Sequence, residues 1–92
     1  MQITVRDVLR RAQDRAAAAA HKFPQPNYVL LKIAEESGEV VKSGVHCAEG
    51  RDTYLHLLDE CVDLIAMVIR LLEEGDQVNG VLPVMAQAET EL

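Results

Sequence analysis

Two acidic pairs, each set inside an apolar helical stretch, constrain this chain more than any other feature. Glu36 and Glu39 lie in Ala34-Glu35-Glu36-Ser37-Gly38-Glu39, and Glu60 and Asp63 lie in Asp59-Glu60-Cys61-Val62-Asp63. Residues three apart on a helix share a face. Two such helices side by side therefore turn four or five carboxylates toward one small volume. Left uncompensated, like charges in a poorly solvated place repel and their pKa values rise. A divalent cation is the simplest compensation.

Hydrophobic periodicity supplies the helices that would carry these pairs. Thr4 and Asp7 have the spacing of a capping box, and Val5, Val8, Leu9, Ala12, Ala16, Ala19 and Ala20 follow at helical intervals. Phe23-Pro24-Gln25-Pro26 ends that helix, and Asn27 is placed to cap the next. The second helix is expected from about Tyr28 to Ser43, with Val29, Leu30, Ile33, Ala34, Val40 and Val41 on one side. Glu35, Glu36 and Glu39 share an arc of about 100° with Lys32, and Glu36 lies nearest the apolar face. Gly38 in mid-helix is either tolerated or marks the close approach of another helix.

The third helix is expected from about Thr53, with Asp52 as cap, to Glu74, with Gly75 as its stop. It is apolar most of the way round, which makes it the central helix. Its remaining strip is His56, Asp59, Glu60, Asp63, Met67 and Arg70. Pro83 opens a short fourth helix in which Val81, Leu82, Met85 and Ala88 are available for packing. The expected architecture is all-α: one domain spanning residues 1–92, a compact bundle of three long helices plus a short C-terminal one.

Composition narrows the functional classes. Fifteen acids against nine bases, for a net charge of −6, leave no basic stripe for a nucleic-acid backbone. Apolar residues form 49% of a 92-residue chain, a surplus that predicts burial between subunits. Aromatics are only 3%, so the core must be aliphatic and Met. Cys47 and Cys61 have no metal-ligand spacing; Cys61 reads as a small buried hydrophobe, and no disulfide is expected. The N-terminal segment lacks a signal-peptide core and no apolar run is long enough to span a membrane, so a soluble cytoplasmic protein is expected.

A solvated face accounts for Glu73, Glu74, Glu89 and Glu91, but not for two pairs inside apolar helices. A salt-bridge network through Lys32, Lys42 and Arg70 sets three bases against six acids and falls short of neutrality. Hard oxygen ligands favour Mg²⁺ or Mn²⁺ over Zn²⁺. A di-iron bundle would need Glu-x-x-His, which neither pair provides. His56, one turn before Glu60, is placed either to support the site or as a surface or interface histidine.

Glu36-x-x-Glu39, a gap of twenty residues and Glu60-x-x-Asp63 resemble the double motif of the all-α nucleoside triphosphate pyrophosphohydrolases. Leu31-Lys32-Ile33-Ala34-Glu35-Glu36-Ser37-Gly38-Glu39-Val40 and Asp59-Glu60-Cys61-Val62-Asp63-Leu64-Ile65 are similar to the MazG branch. The resemblance covers about Leu30 to Leu72. It implies a helical bundle assembled as a dimer or tetramer. It also implies Mg²⁺-dependent hydrolysis of a (deoxy)nucleoside triphosphate to the monophosphate and pyrophosphate. By position, Glu36, Glu39, Glu60 and Asp63 would hold metal, and Glu35 or Glu36 would orient and deprotonate the attacking water. Lys32 and Asn79 would contact substrate. One departure stands out: the family's basic element after the last long helix is missing, since no Lys or Arg follows Arg70. Phosphoribosyl-ATP pyrophosphohydrolase is the neighbouring alternative, and a weakly active interaction module that keeps the metal site is another.

Overall fold

Four helices form in the order expected. The computed structural model describes residues 1–92 and contains α1 (Val5–Lys22), α2 (Val29–Ala48), α3 (Tyr54–Glu74) and α4 (Val84–Thr90). The chain is thus an all-α bundle of three longer helices and a short C-terminal one. No helix is long and apolar enough to cross a membrane.

Local chemistry explains the ends. Thr4 Oγ1 accepts from the Asp7 amide at 3.1 Å while Asp7 Oδ2 accepts from the Thr4 amide at 3.0 Å, so the capping box is complete. Two expected caps are replaced. Thr53, not Asp52, caps α3 by accepting from the His56 amide. Tyr28, not Asn27, is the cap residue of α2 and offers it no side-chain acceptor. That role passes to Asp76, beyond the far end of α3, whose Oδ2 accepts from the Leu30 amide at 2.8 Å. Helix α2 also runs past Ser43 to Ala48, five residues further than its apolar pattern implied.

Gly75 stops α3 at φ +73°, and a Cβ there would collide with the Val81 carbonyl and the Leu82 backbone. The chain can therefore fold back, and Asp76 pairs with Val81 in an isolated antiparallel bridge. Asp76 is fully buried. Burial alone would push its carboxyl pKa up. Hydrogen bonds from the Leu30 amide and from the Asn79 side chain and amide outweigh that and hold it below its usual range.

Helix α3 is the hub, as its all-round apolarity predicts. Helices α1, α2 and α4 each pack on α3, and α1 and α2 do not pack on each other. Ala12 and Ala16 are buried on α1, and Val62, Ala66 and Arg70 are buried on α3. Small side chains one turn apart let the two backbones approach closely, which suits a chain with few aromatics. Because α1 and α2 lean on α3 without meeting, a cleft floored by α3 opens between them.

Packing departs from the expected pattern on α2, at the seat of α4 and at Cys61. The single apolar side of α2 divides in two: Val29 is buried and Ile33 and Val40 are half-buried, but Leu31, Val41 and Val45 are 54%, 65% and 53% exposed. A Cβ at Gly38 would meet nothing within 4 Å, so within the protomer the glycine is tolerated and marks no close approach. The residues expected to seat α4 are left largely in solvent, Leu82, Met85 and Ala88 being exposed. Cys61 is half-buried rather than buried.

Candidate functional site

Glu36 of α2 and Glu60 and Asp63 of α3 converge. One carboxylate oxygen from each lies within 4.8 Å of the other two. At an Mg–O distance of about 2.1 Å, oxygens around Mg²⁺ are about 4.2 Å apart when trans and about 3.0 Å when cis, so the three carboxylates must draw in to close on the ion. The donor set is all oxygen and all anionic. It could hold a divalent metal ion.

Desolvation raises the Glu36 pKa first, and repulsion from Asp63, Glu60 and Glu39 raises it further, against a smaller pull from Lys32. A carboxylate held this way is costly to keep ionised unless a cation joins it. It is also a better proton acceptor than an ordinary glutamate.

Glu36 and Asp63 line a cavity of about 280 Å³ in the cleft. That is near the lower end of the range of about 300–1,000 Å³ for small-molecule sites. Arg15, Lys32, Glu36, Asp63 and Arg70 give its lining charge, Ala19, Phe23, Ala66 and Met67 give it apolar wall, and Asn27 adds an amide. Glu60 completes the triad without lining the cavity. Its Oε1 lies 3.0 Å from His56 Nε2.

His56 lies at the surface, its side chain 51% exposed, yet both of its ring nitrogens are engaged. Its Nδ1 lies 2.8 Å from Asp52 Oδ2, which also accepts from Ser43 Oγ at 2.6 Å. Both ring nitrogens thus face carboxylates, and only the imidazolium can donate to both. Asp52, by its hydrogen bond and then its charge, raises the His56 pKa, and Glu60 adds to it. Asp52 is in turn held far below the usual carboxylate range, first by Ser43, then by His56. The chain Ser43–Asp52–His56–Glu60 orients a carboxylate of the triad, as hydrogen-bonded neighbours of metal ligands commonly do.

The other sequence candidates lie elsewhere. Glu39 stands outside the triad, in a smaller cavity of about 80 Å³ with Lys42, Ser43, His46, Asp52 and His56. Glu35 is half-exposed and pairs with Lys32 at 3.3 Å, so of the two candidate bases only Glu36 lines the cavity. Asn79 donates to Asp76 Oδ2 at 2.9 Å and lines no part of the cavity. Phe23 and Asn27 also line the cavity, and Asn27 is held by the Phe23 carbonyl and the Tyr28 amide.

Arg15 is the residue that sequence reasoning missed. Its Nη1 donates to Asp63 Oδ1 at 2.8 Å and to Asp59 Oδ1 at 3.0 Å, while Arg11 Nη2 reaches the same Asp59 oxygen at 3.1 Å. The salt-bridge network of Lys32, Lys42 and Arg70, the alternative to a metal site, does not form. Lys32 pairs outward with Glu35, and Arg70 pairs with Glu74. A scan against protein-family models, a search of curated proteins and a search of solved structures each find no match to this chain.

Proposed function

We propose that the protein is a Mg²⁺-dependent nucleoside triphosphate pyrophosphohydrolase of the MazG-like all-α kind. The observation that carries this reading is the convergence of the Glu36, Glu60 and Asp63 carboxylates, two of which line the cleft cavity. An all-oxygen anionic site suits Mg²⁺ or Mn²⁺, and metal-bridged phosphates are the usual cargo of such sites. Phe23, Met67, Ala19 and Ala66 offer the base apolar lining with one aromatic face.

In this reading water attacks the α-phosphorus, the bond to the bridging oxygen breaks, and pyrophosphate leaves with the electron pair. Glu36, the candidate base that lines the cavity, takes the proton of the attacking water. Asp63 is steadied by Arg15 and Glu60 by His56, which fixes the carboxylate geometry in advance. Mg²⁺ held by the three carboxylates would acidify a bound water and offset charge on the phosphates. Hydrolysis in ¹⁸O-labelled water across a nucleotide panel with Mg²⁺ or Mn²⁺, including phosphoribosyl-ATP, tests the reaction. Label in the monophosphate with unlabelled pyrophosphate is expected. Diphosphate and phosphate as the only products would refute the attack at α-phosphorus.

Self-association belongs to the same reading. Leu31, Ala34, Gly38, Val41 and Val45 follow a 3-4 spacing on α2, roughly opposite the face that meets α3 at 100° per residue. The protomer exposes 6404 Å², against roughly 5,300 Å² for a compact monomer of its mass. Its radius of gyration is 14.6 Å, against about 12 Å. The excess, roughly 1,100 Å², exceeds the ~800 Å² per partner of a standard interface. Gly38, open within the protomer, would let a second α2 approach. Val41→Lys should therefore sediment as a monomer where the wild type sediments as a dimer or tetramer; a monomeric wild type would remove this part of the proposal.

A further inference from the structure

The missing basic tail poses a problem of charge. A triphosphate carries about four negative charges, the chain itself is at −6, and the site is a cluster of acids. Metal offsets part of this, yet a phosphate chain also needs donors that reach its outer oxygens.

Three cations line the cleft cavity: Arg15, Lys32 and Arg70. Arg70 has its charge committed to Glu74 through Nε and Nη2, which also donates to the Phe23 carbonyl, and at 1% exposure it has only Nη1 unengaged. Arg15 is freer. All of its hydrogen bonds to the protein run through Nη1, to Asp63 and Asp59, so Nη2 and Nε keep their three N–H donors free. Lys32 has one partner, Glu35, in a half-exposed pair that solvent screens and that a phosphate can displace. Arg15 comes from α1 and Lys32 from α2, the two helices that lean on α3 without touching. The two available cations therefore stand on opposite walls of the cleft, with Glu36 and Asp63 in the same cavity.

We infer that Arg15 and Lys32 form a two-sided clamp for a polyphosphate chain, with Arg15 the stronger jaw. A guanidinium offers phosphate a planar fork with two parallel hydrogen bonds, whereas an ammonium offers a point charge. Arg15 spends one nitrogen on Asp63 and presents the rest to the ligand, so it ties the position of a triad carboxylate to that of the phosphates. The clamp rests on the proposed reaction for the identity of the nucleotide, but binding of the chain itself can be measured apart from turnover.

Inorganic tripolyphosphate, which carries the chain without sugar or base, is titrated calorimetrically into the whole protein at saturating Mg²⁺. Mn²⁺ affinity is measured separately by electron spin resonance. Arg15→Gln is expected to weaken tripolyphosphate binding at least about tenfold and Lys32→Gln about threefold. Mn²⁺ affinity in Arg15→Gln should stay within about threefold of wild type. A wild type that does not bind tripolyphosphate, or an Arg15→Gln variant that binds it as the wild type does, overturns the clamp. So do equal losses of Mn²⁺ and tripolyphosphate affinity, which would reduce Arg15 to a support for Asp63. Should Arg15→Gln fail to fold, Arg15→Lys decides: binding at least about threefold weaker, from loss of the fork, is expected, and unchanged affinity overturns the clamp. Tight tripolyphosphate binding without pyrophosphate release from any nucleotide would sink the proposed reaction and leave the clamp standing.

Discussion

Glu36→Gln should make the protein more stable in EDTA while it removes hydrolysis. The two effects have one cause. Glu36 is desolvated and crowded by Asp63 and Glu60, so its pKa lies above the ordinary 4.5. A carboxyl whose folded pKa exceeds its unfolded value works against folding wherever the unfolded chain would ionise it. At pH 7.5 the neutral amide escapes that penalty, and Tm in EDTA should rise. Near pH 3.5, where wild-type Glu36 is itself protonated in both states, the gain should vanish.

Turnover should fall about a thousandfold, because the base and one anionic ligand are lost together. The Tm increase that Mn²⁺ gives the wild type should shrink accordingly, since a ligand stabilises only through its affinity for the folded chain. Calorimetry with and without Mn²⁺ at the two pH values, beside a pyrophosphate-release assay, measures all of this. A variant less stable than wild type in EDTA at pH 7.5 would mean that Glu36 is a structural anchor. Retained turnover would remove it from the chemistry.

How the site was legible in sequence follows from the reach of each interaction. Glu36, Glu60 and Asp63 could be brought together on paper because two i, i+3 spacings and two apolar faces are local properties. Helix α3 could be named central because a helix apolar on every side has no face left for water. Thr4 and Asp7 announced their cap because both partners lie within one turn. Arg15 could not be found this way. It sits in an alanine-rich helix among other arginines, where each reads as solvated, and its partners lie 44 and 48 residues away. Asp76 was hidden for the same reason: after a helix-stopping glycine it reads as a turn residue, yet it caps a helix 46 positions earlier. The outward seam of α2 was blurred rather than hidden. Leu31, Val41 and Val45 were visible as apolar, but periodicity alone does not say which apolar face meets α3.

Glu74→Ala should cost about 3 kcal/mol of folding free energy, near the lower end of what breaking a buried ion pair costs, because Glu74 keeps some water. Arg70 is 1% exposed, and its Nη2 and Nε donate to Glu74 at 2.8 and 3.0 Å. Without Glu74 the guanidinium keeps only the Phe23 carbonyl, which leaves a buried cation short of acceptors. For a chain of this length the loss corresponds to a Tm fall of roughly 15 °C. Urea melts should show it as a lower midpoint with an unchanged slope.

The pair also lowers the Glu74 pKa, first through the Arg70 hydrogen bond, against desolvation and with help from Gln25. A depressed carboxyl pKa contributes stability that is present above the unfolded value of 4.5 and is lost as pH falls through the lower folded value. Wild-type Tm should therefore drop as pH falls from 5 toward 3, and Glu74→Ala should flatten that part of the slope. Arg70→Met combined with Glu74→Leu should recover most of the stability, because a packed apolar pair leaves no stranded charge.

The functional consequence reaches the cleft. Arg70 and Glu74 hold the Phe23 carbonyl and the Gln25 side chain, and so pin the linker that brings Phe23 and Asn27 to the cavity. Glu74→Ala should accordingly raise KM for a nucleotide more than it lowers kcat, since the carboxylate triad lies outside the disturbed segment. A loss below about 1 kcal/mol with KM unchanged would mean that the pair neither anchors the fold nor shapes the apolar lining of the cleft.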